Sequence, residues 1–140
     1  MKPTVENCRI VELPKITDAR GNLTFIESCR HIPFEIKRVY YLYDVPGGVE
    51  RGGHGHKKLE QLMIAIAGSF DVTVNDGRKS KNFHLNRSYF GLYIPRMMWR
   101  HLHNFSSSAV CLNLASDFYK EEDYFRDFDE FVKVANEPQL

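Results

Sequence analysis

The sequence predicts an all-β domain, a sandwich or barrel, followed by one C-terminal helix. Three observations carry this. Short runs rich in β-branched and aromatic residues follow one another along most of the chain. Turn-forming residues separate them. The apolar period changes from that of a strand to that of a helix only near the C-terminus.

The predicted strands fall in 8–13, 22–27, 36–43, 61–67, 69–75, 79–85, 89–94, 100–105 and 109–115. Asp18-Ala19-Arg20-Gly21 marks a turn between the first two, and Pro46-Gly47-Gly48 another after the third. Asn75-Asp76-Gly77 is a strong hairpin signal, because its central residues tolerate positive φ. Many short strands at such spacing imply a closed or two-layered β fold over about 8–116. Beyond it, Tyr124, Phe128, Phe131 and Val132 recur at i, i+4, i+7 and i+8. Glu121, Glu122 and Asp123 suit a helix N-terminus, and Pro138 lies past the end. One amphipathic helix over 121–135 is expected, its aromatic stripe serving the core or a dimer contact.

At 140 residues the chain is expected to form one domain, 1–140. Hydrophobic content of 43% and charged content of 26% are those of an ordinary globular protein. A formal net charge of +1 advertises neither nucleic acid nor a membrane surface. No apolar run is long enough for a membrane span, and the N-terminal stretch lacks the apolar core of a secretory signal. Cys8, Cys29 and Cys111 form neither a disulfide framework nor a zinc pattern. They read as packing residues with reduced thiols, which points to the cytoplasm.

The chemistry concentrates in His54-Gly55-His56-Lys57-Lys58-Leu59-Glu60. His54, His56 and Glu60 share one parity. In an extended segment all three side chains leave the same face. Such a cluster holds a metal or moves protons; the bland alternative is a solvated pair of histidines near a turn.

Gly48, followed after five residues by His54-x-His56-x-x-x-Glu60, resembles the first motif of the cupin superfamily, with its next glycine displaced to Gly68. Pro95 and Asn104 fit the second cupin motif, while Tyr89 and Met97 replace its glycines and Arg100 its histidine. The resemblance implies an all-β cupin jelly-roll barrel with the site inside. Arginine cannot donate a lone pair, so no metal is expected. His101 and His103 carry the opposite parity to Arg100 and should face outward or sit at the rim. What remains is a metal-free pocket with two histidines, a glutamate and basic candidates Arg38, Arg51, Lys57, Lys58 and Arg100. Lys57 and Lys58 point opposite ways, so one of them belongs to a solvated strand edge.

Four segments together look like the nucleotide-sugar 3,4-ketoisomerases, cupins that act on dTDP-4-keto-6-deoxyglucose. They are Ile36-Lys37-Arg38-Val39-Tyr40-Tyr41, the run from Arg51 to Gln61, Gly91-Leu92-Tyr93-Ile94, and Leu114-Ala115-Ser116-Asp117-Phe118-Tyr119. The similarity runs over about 8–131. It implies a homodimer with exchanged N-terminal strands and a dTDP-linked 4-keto-6-deoxy sugar as substrate, in deoxyamino sugar biosynthesis for surface glycans, without metal or other cofactor. It implies also that His54 and His56 are acid and base. Relatives carry His or Arg at the position of Arg100, and Arg or Tyr at that of Arg20. Both positions bear on the C4 epimer, which this sequence, with Arg at each, leaves open.

The expected reaction moves the carbonyl from C4 to C3. The C3 proton is acidic because it lies α to the ketone; its removal gives an enediolate, and C4 then gains a proton. Arg100, Arg20 and Tyr40 are candidates to stabilise the enediolate oxygen. Glu60 is a candidate to orient a histidine. Arg38 and Arg51, helped by Lys57 or Lys58 and more weakly by Gln61, are expected to hold the diphosphate. Tyr93 serves equally as core or substrate contact. A 3,5-epimerase of the same sugars and a non-catalytic sugar-nucleotide-binding cupin are the alternatives.

Overall fold

The computed structural model describes residues 2–138. Its strands are β1 Arg9–Glu12, β2 Lys15–Asp18, β3 Gly21–Thr24, β4 Arg38–Leu42, β5 Arg51–His56, β6 Gln61–Ala67, β7 Phe70–Asn75, β8 Ser80–Leu85, β9 Phe90–Ile94, β10 Trp99–His103, β11 Val110–Ala115 and β12 Tyr124–Phe125, followed by the helix α1 Phe128–Ala135. Two five-stranded antiparallel sheets form, in the orders β1-β9-β6-β11-β4 and β12-β5-β10-β7-β8. The hairpin β2–β3 joins neither. This is the expected all-β, cupin-type jelly roll with a C-terminal helix.

Residue parity builds the core. On β7, Phe70, Val72 and Val74 point inward and are fully buried, while Asp71, Thr73 and Asn75 lie on the other face. They meet Met63 and Ala65 of β6, Leu92 and Ile94 of β9, and Cys111 of β11 between the sheets. Strand β6 is covered on both sides. Its outer residues Leu62 and Ile64 pack with Leu114, Val11, Ile32 and Phe34, supplied in part by the segment that leads into β4. Burying such side chains stabilises by roughly 1.5–3 kcal/mol each relative to exposure.

The Asn75-Asp76-Gly77 turn forms as the sequence suggests. Gly77 has φ +95°, and a Cβ there would come within 2.8 Å of the Ala135 Cβ. The Asp76 carboxylate accepts from the backbone N–H of Arg78 and Lys79, and from Val5 across the molecule.

Two expectations change. The helix expected over 121–135 begins only at Phe128. A 3₁₀ turn occupies Glu121–Asp123, and Tyr124–Phe125 are extended, paired with His56 and Gly55. Asp127 caps α1 by accepting from the Glu130 N–H at 3.1 Å. Pairing with β5 outweighs the local helical period in this segment. The helix then packs Phe131 against Met97, Phe125 and Trp99. Strands β2 and β5 are both absent from the predicted strands; all four residues of β2 are exposed and carry no burial signal. Among the described residues no helix is long and apolar enough to cross a membrane.

Candidate active site

Strand β5 brings the histidines inside. It lies between β12 and β10, and His54 pairs in register with Arg100. The register then shifts between Arg100 and Leu102, opposite Gly52 at φ +93°. A bulge of this kind re-aims side chains beside a site. Gly55, on the opposite face, lets α1 approach: a Cβ would lie 3.2 Å from Phe131.

The resulting cavity has a volume of about 340 Å³, within the range of small-molecule sites. Tyr40 of β4, Gln61 and Met63 of β6, and Asn113 of β11 form one wall. His54, Arg100 and Leu102 form the facing wall, and Arg51, Tyr124 and Arg126 also line the cavity.

His56 sits directly behind His54. The two rings meet edge-on with centroids 4.9 Å apart at 87°. Tyr124 packs on both, at 5.1 Å from His54 and 4.4 Å from His56. His56 is fully buried, with Nδ1 3.1 Å from Asp123 Oδ2. Burial, and then the Arg100 charge, hold His54 down at about 3. The same two causes push His56 lower still. Both imidazoles are therefore neutral near pH 7.

Arg100 is only 1% exposed. Nη1 donates to Gln61 Oε1, and Nη2 donates to the Met98 carbonyl at 3.0 Å. Gln61 in turn donates to Asn113 Oδ1 at 2.7 Å, which fixes which way its amide faces. The acceptors of Arg100 are thus neutral, and its Nε is buried without a partner among the described residues. Burial pushes the Tyr40 phenol up, against the opposing pull of Arg100.

Of the residues singled out by the sequence, His54, Arg100, Tyr40, Arg51 and Gln61 line one cavity, with His56 packed behind. Arg38 lies beside it, its guanidinium 5.1 Å from the Tyr40 ring and 5.6 Å from Tyr119. Its Nε and Nη2 are buried and have no hydrogen-bond partner among the described residues. Arg20 is elsewhere: it sits in the β2–β3 turn, paired with Asp18 at 2.7 Å, its side chain 90% exposed. Lys57 donates to the Glu122 carbonyl at 2.8 Å, and the Lys58 side chain is exposed.

Glu60 and Tyr93 bond to each other at 2.5 Å and are not among the cavity's lining residues. The expected common face of His54, His56 and Glu60 fails for a local reason. Strand β5 ends at His56 and the chain bends at Lys57 and Lys58, so parity does not carry through to Glu60. His101 and His103 do take the face opposite to Arg100; His103 Nε2 lies 2.9 Å from Thr73 Oγ1.

The sequence reading missed Asp123, Tyr124, Arg126 and Asn113. The first three lie in the segment expected to be helical. Arg126 stacks 3.9 Å from the Tyr124 ring centre and is held by Glu121 at 2.9 and 2.8 Å. A signal existed for Asn113: it shares parity with Ala109, Cys111 and Ala115, so a polar side chain had to point inward. No group of three or more His, Cys, Asp or Glu side chains placed to hold a metal occurs among the described residues.

A family model described as FdtA: WxcM-like, C-terminal, matches residues 6–136. The TDP-4-oxo-6-deoxy-alpha-D-glucose-3,4-oxoisomerase of Aneurinibacillus thermoaerophilus is 44% identical over 125 residues, which is 89% of this chain and 90% of the relative. The crystal structure of a 3,4-ketoisomerase from Helicobacter canadensis is 46% identical, with a TM-score of 0.91, and covers 94% of this chain and 98% of its own. A mutant of the 3,4-ketoisomerase QdtA from Thermoanaerobacterium thermosaccharolyticum, solved in complex with TDP-4-keto-6-deoxyglucose, is 39% identical with a TM-score of 0.90, and covers 92% of this chain and 94% of its own.

Proposed function

This chain belongs to the FdtA family (WxcM-like, C-terminal), and from that membership we propose that it is a sugar 3,4-ketoisomerase acting on TDP-4-keto-6-deoxyglucose. One observation supports the chemistry above all. A neutral imidazole, His54, shares a cavity wall with a buried arginine to which, among the described residues, no carboxylate is bonded. A base and an oxyanion partner side by side are what proton abstraction next to a ketone needs.

His54 accepts the C3 proton as the electron pair moves into the enediolate. Arg100 faces the developing negative charge, with Tyr40 as a second donor. A preorganised donor of this kind contributes about 3 kcal/mol, and a positioned proton carrier ~10²–10⁴ in rate. Return of a proton to C4 leaves the carbonyl at C3. Arginine in place of a metal-ligating histidine makes the stabilising charge permanent and independent of pH.

The diphosphate falls to the arginines at the cavity margin. Arg51 and Arg126 line it, and beside it lie two nitrogens of Arg38 that have no hydrogen-bond partner among the described residues. Two features favour a homodimer with exchanged N-terminal strands. The β2–β3 hairpin belongs to neither large sheet and exposes Ile16 and Leu23 at 57% each. The edge strand β4 exposes Val39 and Tyr41. Exchange of this hairpin would carry Arg20, which lies in its turn, toward the partner subunit. Proton NMR of TDP-4-keto-6-deoxyglucose incubated with the protein tests the proposal: a 3-keto product supports it, and bound but unchanged substrate rejects it in favour of a binding protein.

A further inference from the structure

Asp123 ends the 3₁₀ turn that precedes β12 and lies against the end of β5. Its carboxylate is held by three groups. Oδ1 accepts from the Lys58 N–H at 2.9 Å, Oδ2 accepts from the Leu59 N–H at 3.2 Å, and Oδ2 is 3.1 Å from His56 Nδ1. The Asp123 carbonyl also accepts from the Lys57 N–H at 2.9 Å. A carboxylate fixed this way is an acceptor only, so the proton of neutral His56 must sit on Nδ1. Nε2 is then left with its lone pair. That atom is fully buried and has no hydrogen-bond partner among the described residues, as is also true of His54 Nε2. The charges facing the His56 ring from the packed elements are Arg100, Arg38 and Arg126, with Asp123 opposing them.

Resting on the ketoisomerase reading, we propose that Asp123 is a positioning residue of the reaction: it holds His56 as the Nδ1–H tautomer and supplies the counter-charge for the imidazolium formed in the His54–His56 pair. When the C3–H bond breaks, its electron pair enters the enediolate and its proton joins the histidine pair. Three arginines oppose that positive charge, and the Asp123 carboxylate touches the His56 member of the pair. Proton return to C4 leaves the pair neutral again, so nothing is consumed.

The experiment has two arms. In the intact wild-type protein, ¹⁵N NMR of the imidazoles at neutral pH should show His56 as the Nδ1–H tautomer. Asp123→Asn should then lose that signature and lower kcat ~10²–10⁴-fold, the range expected when an imidazole that carries protons loses the aspartate fixing its tautomer. KM and TDP affinity should stay within about threefold by the same reasoning, since Asp123 does not line the cavity. An Nε2–H tautomer in the wild type overturns the proposal, whether or not the variant folds. So does a folded Asp123→Asn protein with wild-type kcat. Failure of the wild type to convert the keto sugar rejects the ketoisomerase reading instead, and leaves the tautomer measurement to decide the role of Asp123.

Discussion

Acidification from pH 7 to pH 5 should destabilise this protein through its buried histidines. His54 has an ordinary value of 6.5 when exposed and about 3 in the folded protein. Between those values the unfolded chain binds a proton that the folded chain refuses, so stability falls as the pH drops below 6.5. At pH 5 the drop spans about 1.5 pH units, and at about 1.36 kcal/mol each the loss through His54 is ~2 kcal/mol. His56 is depressed in the same direction and adds a loss of its own. Carboxylates with lowered values, such as Asp71 and Asp76, titrate at or below their ordinary 3.8 and stay outside this window. Urea denaturation at one protein concentration measures the effect. With a slope of ~1–3 kcal/mol per molar, the His54 contribution alone moves the midpoint by about 1 M. His54→Gln and His56→Gln should each remove part of the pH dependence. If wild type and both variants lose the same stability from pH 7 to pH 5, the histidines are not buried as neutral groups and the electrostatic account of the site is wrong.

Four further outcomes are expected. His54→Asn should lower turnover ~10²–10⁴-fold while TDP affinity, read by calorimetry, stays within a few-fold; near-normal turnover would remove His54 as the base. Arg100→Met should lower kcat by about 100-fold, yet leave urea stability equal or higher, because it replaces a buried, locally unmatched cation with apolar volume. Arg51→Ala, Arg38→Ala and Arg126→Ala should each weaken TDP binding by ~1.5–3 kcal/mol where a charge-assisted bond is lost; three unchanged affinities would move the diphosphate elsewhere. Light scattering should give about twice the 16.3 kDa chain mass, and a stable active monomer would contradict strand exchange.

The sequence was legible where a single physical signal dominated. Alternation on Phe70, Val72 and Val74 placed β7, Asn75-Asp76-Gly77 placed its turn, and parity put Arg100 inside with His101 and His103 on the other face. It misled where two signals competed. Tyr124, Phe128 and Phe131 keep helical spacing, yet Tyr124 is extended because β5 offers a strand edge and two imidazole faces. That one misreading hid Asp123, Tyr124 and Arg126 together. Glu60 was drawn into the site by a parity that the bend at Lys57 and Lys58 breaks, and it bonds Tyr93 instead. Arg20 stays on the surface of the single chain, paired with Asp18 in the β2–β3 turn.

The most direct measurement of the central claim is NMR of TDP-4-keto-6-deoxyglucose turned over by the protein in D₂O. A product whose carbonyl has moved to C3, with no deuterium at C5, is the predicted result. A sugar that keeps its C4 carbonyl and gains deuterium at both C3 and C5 would show an epimerase, and would contradict the assignment of His54 and Arg100 to carbonyl transfer.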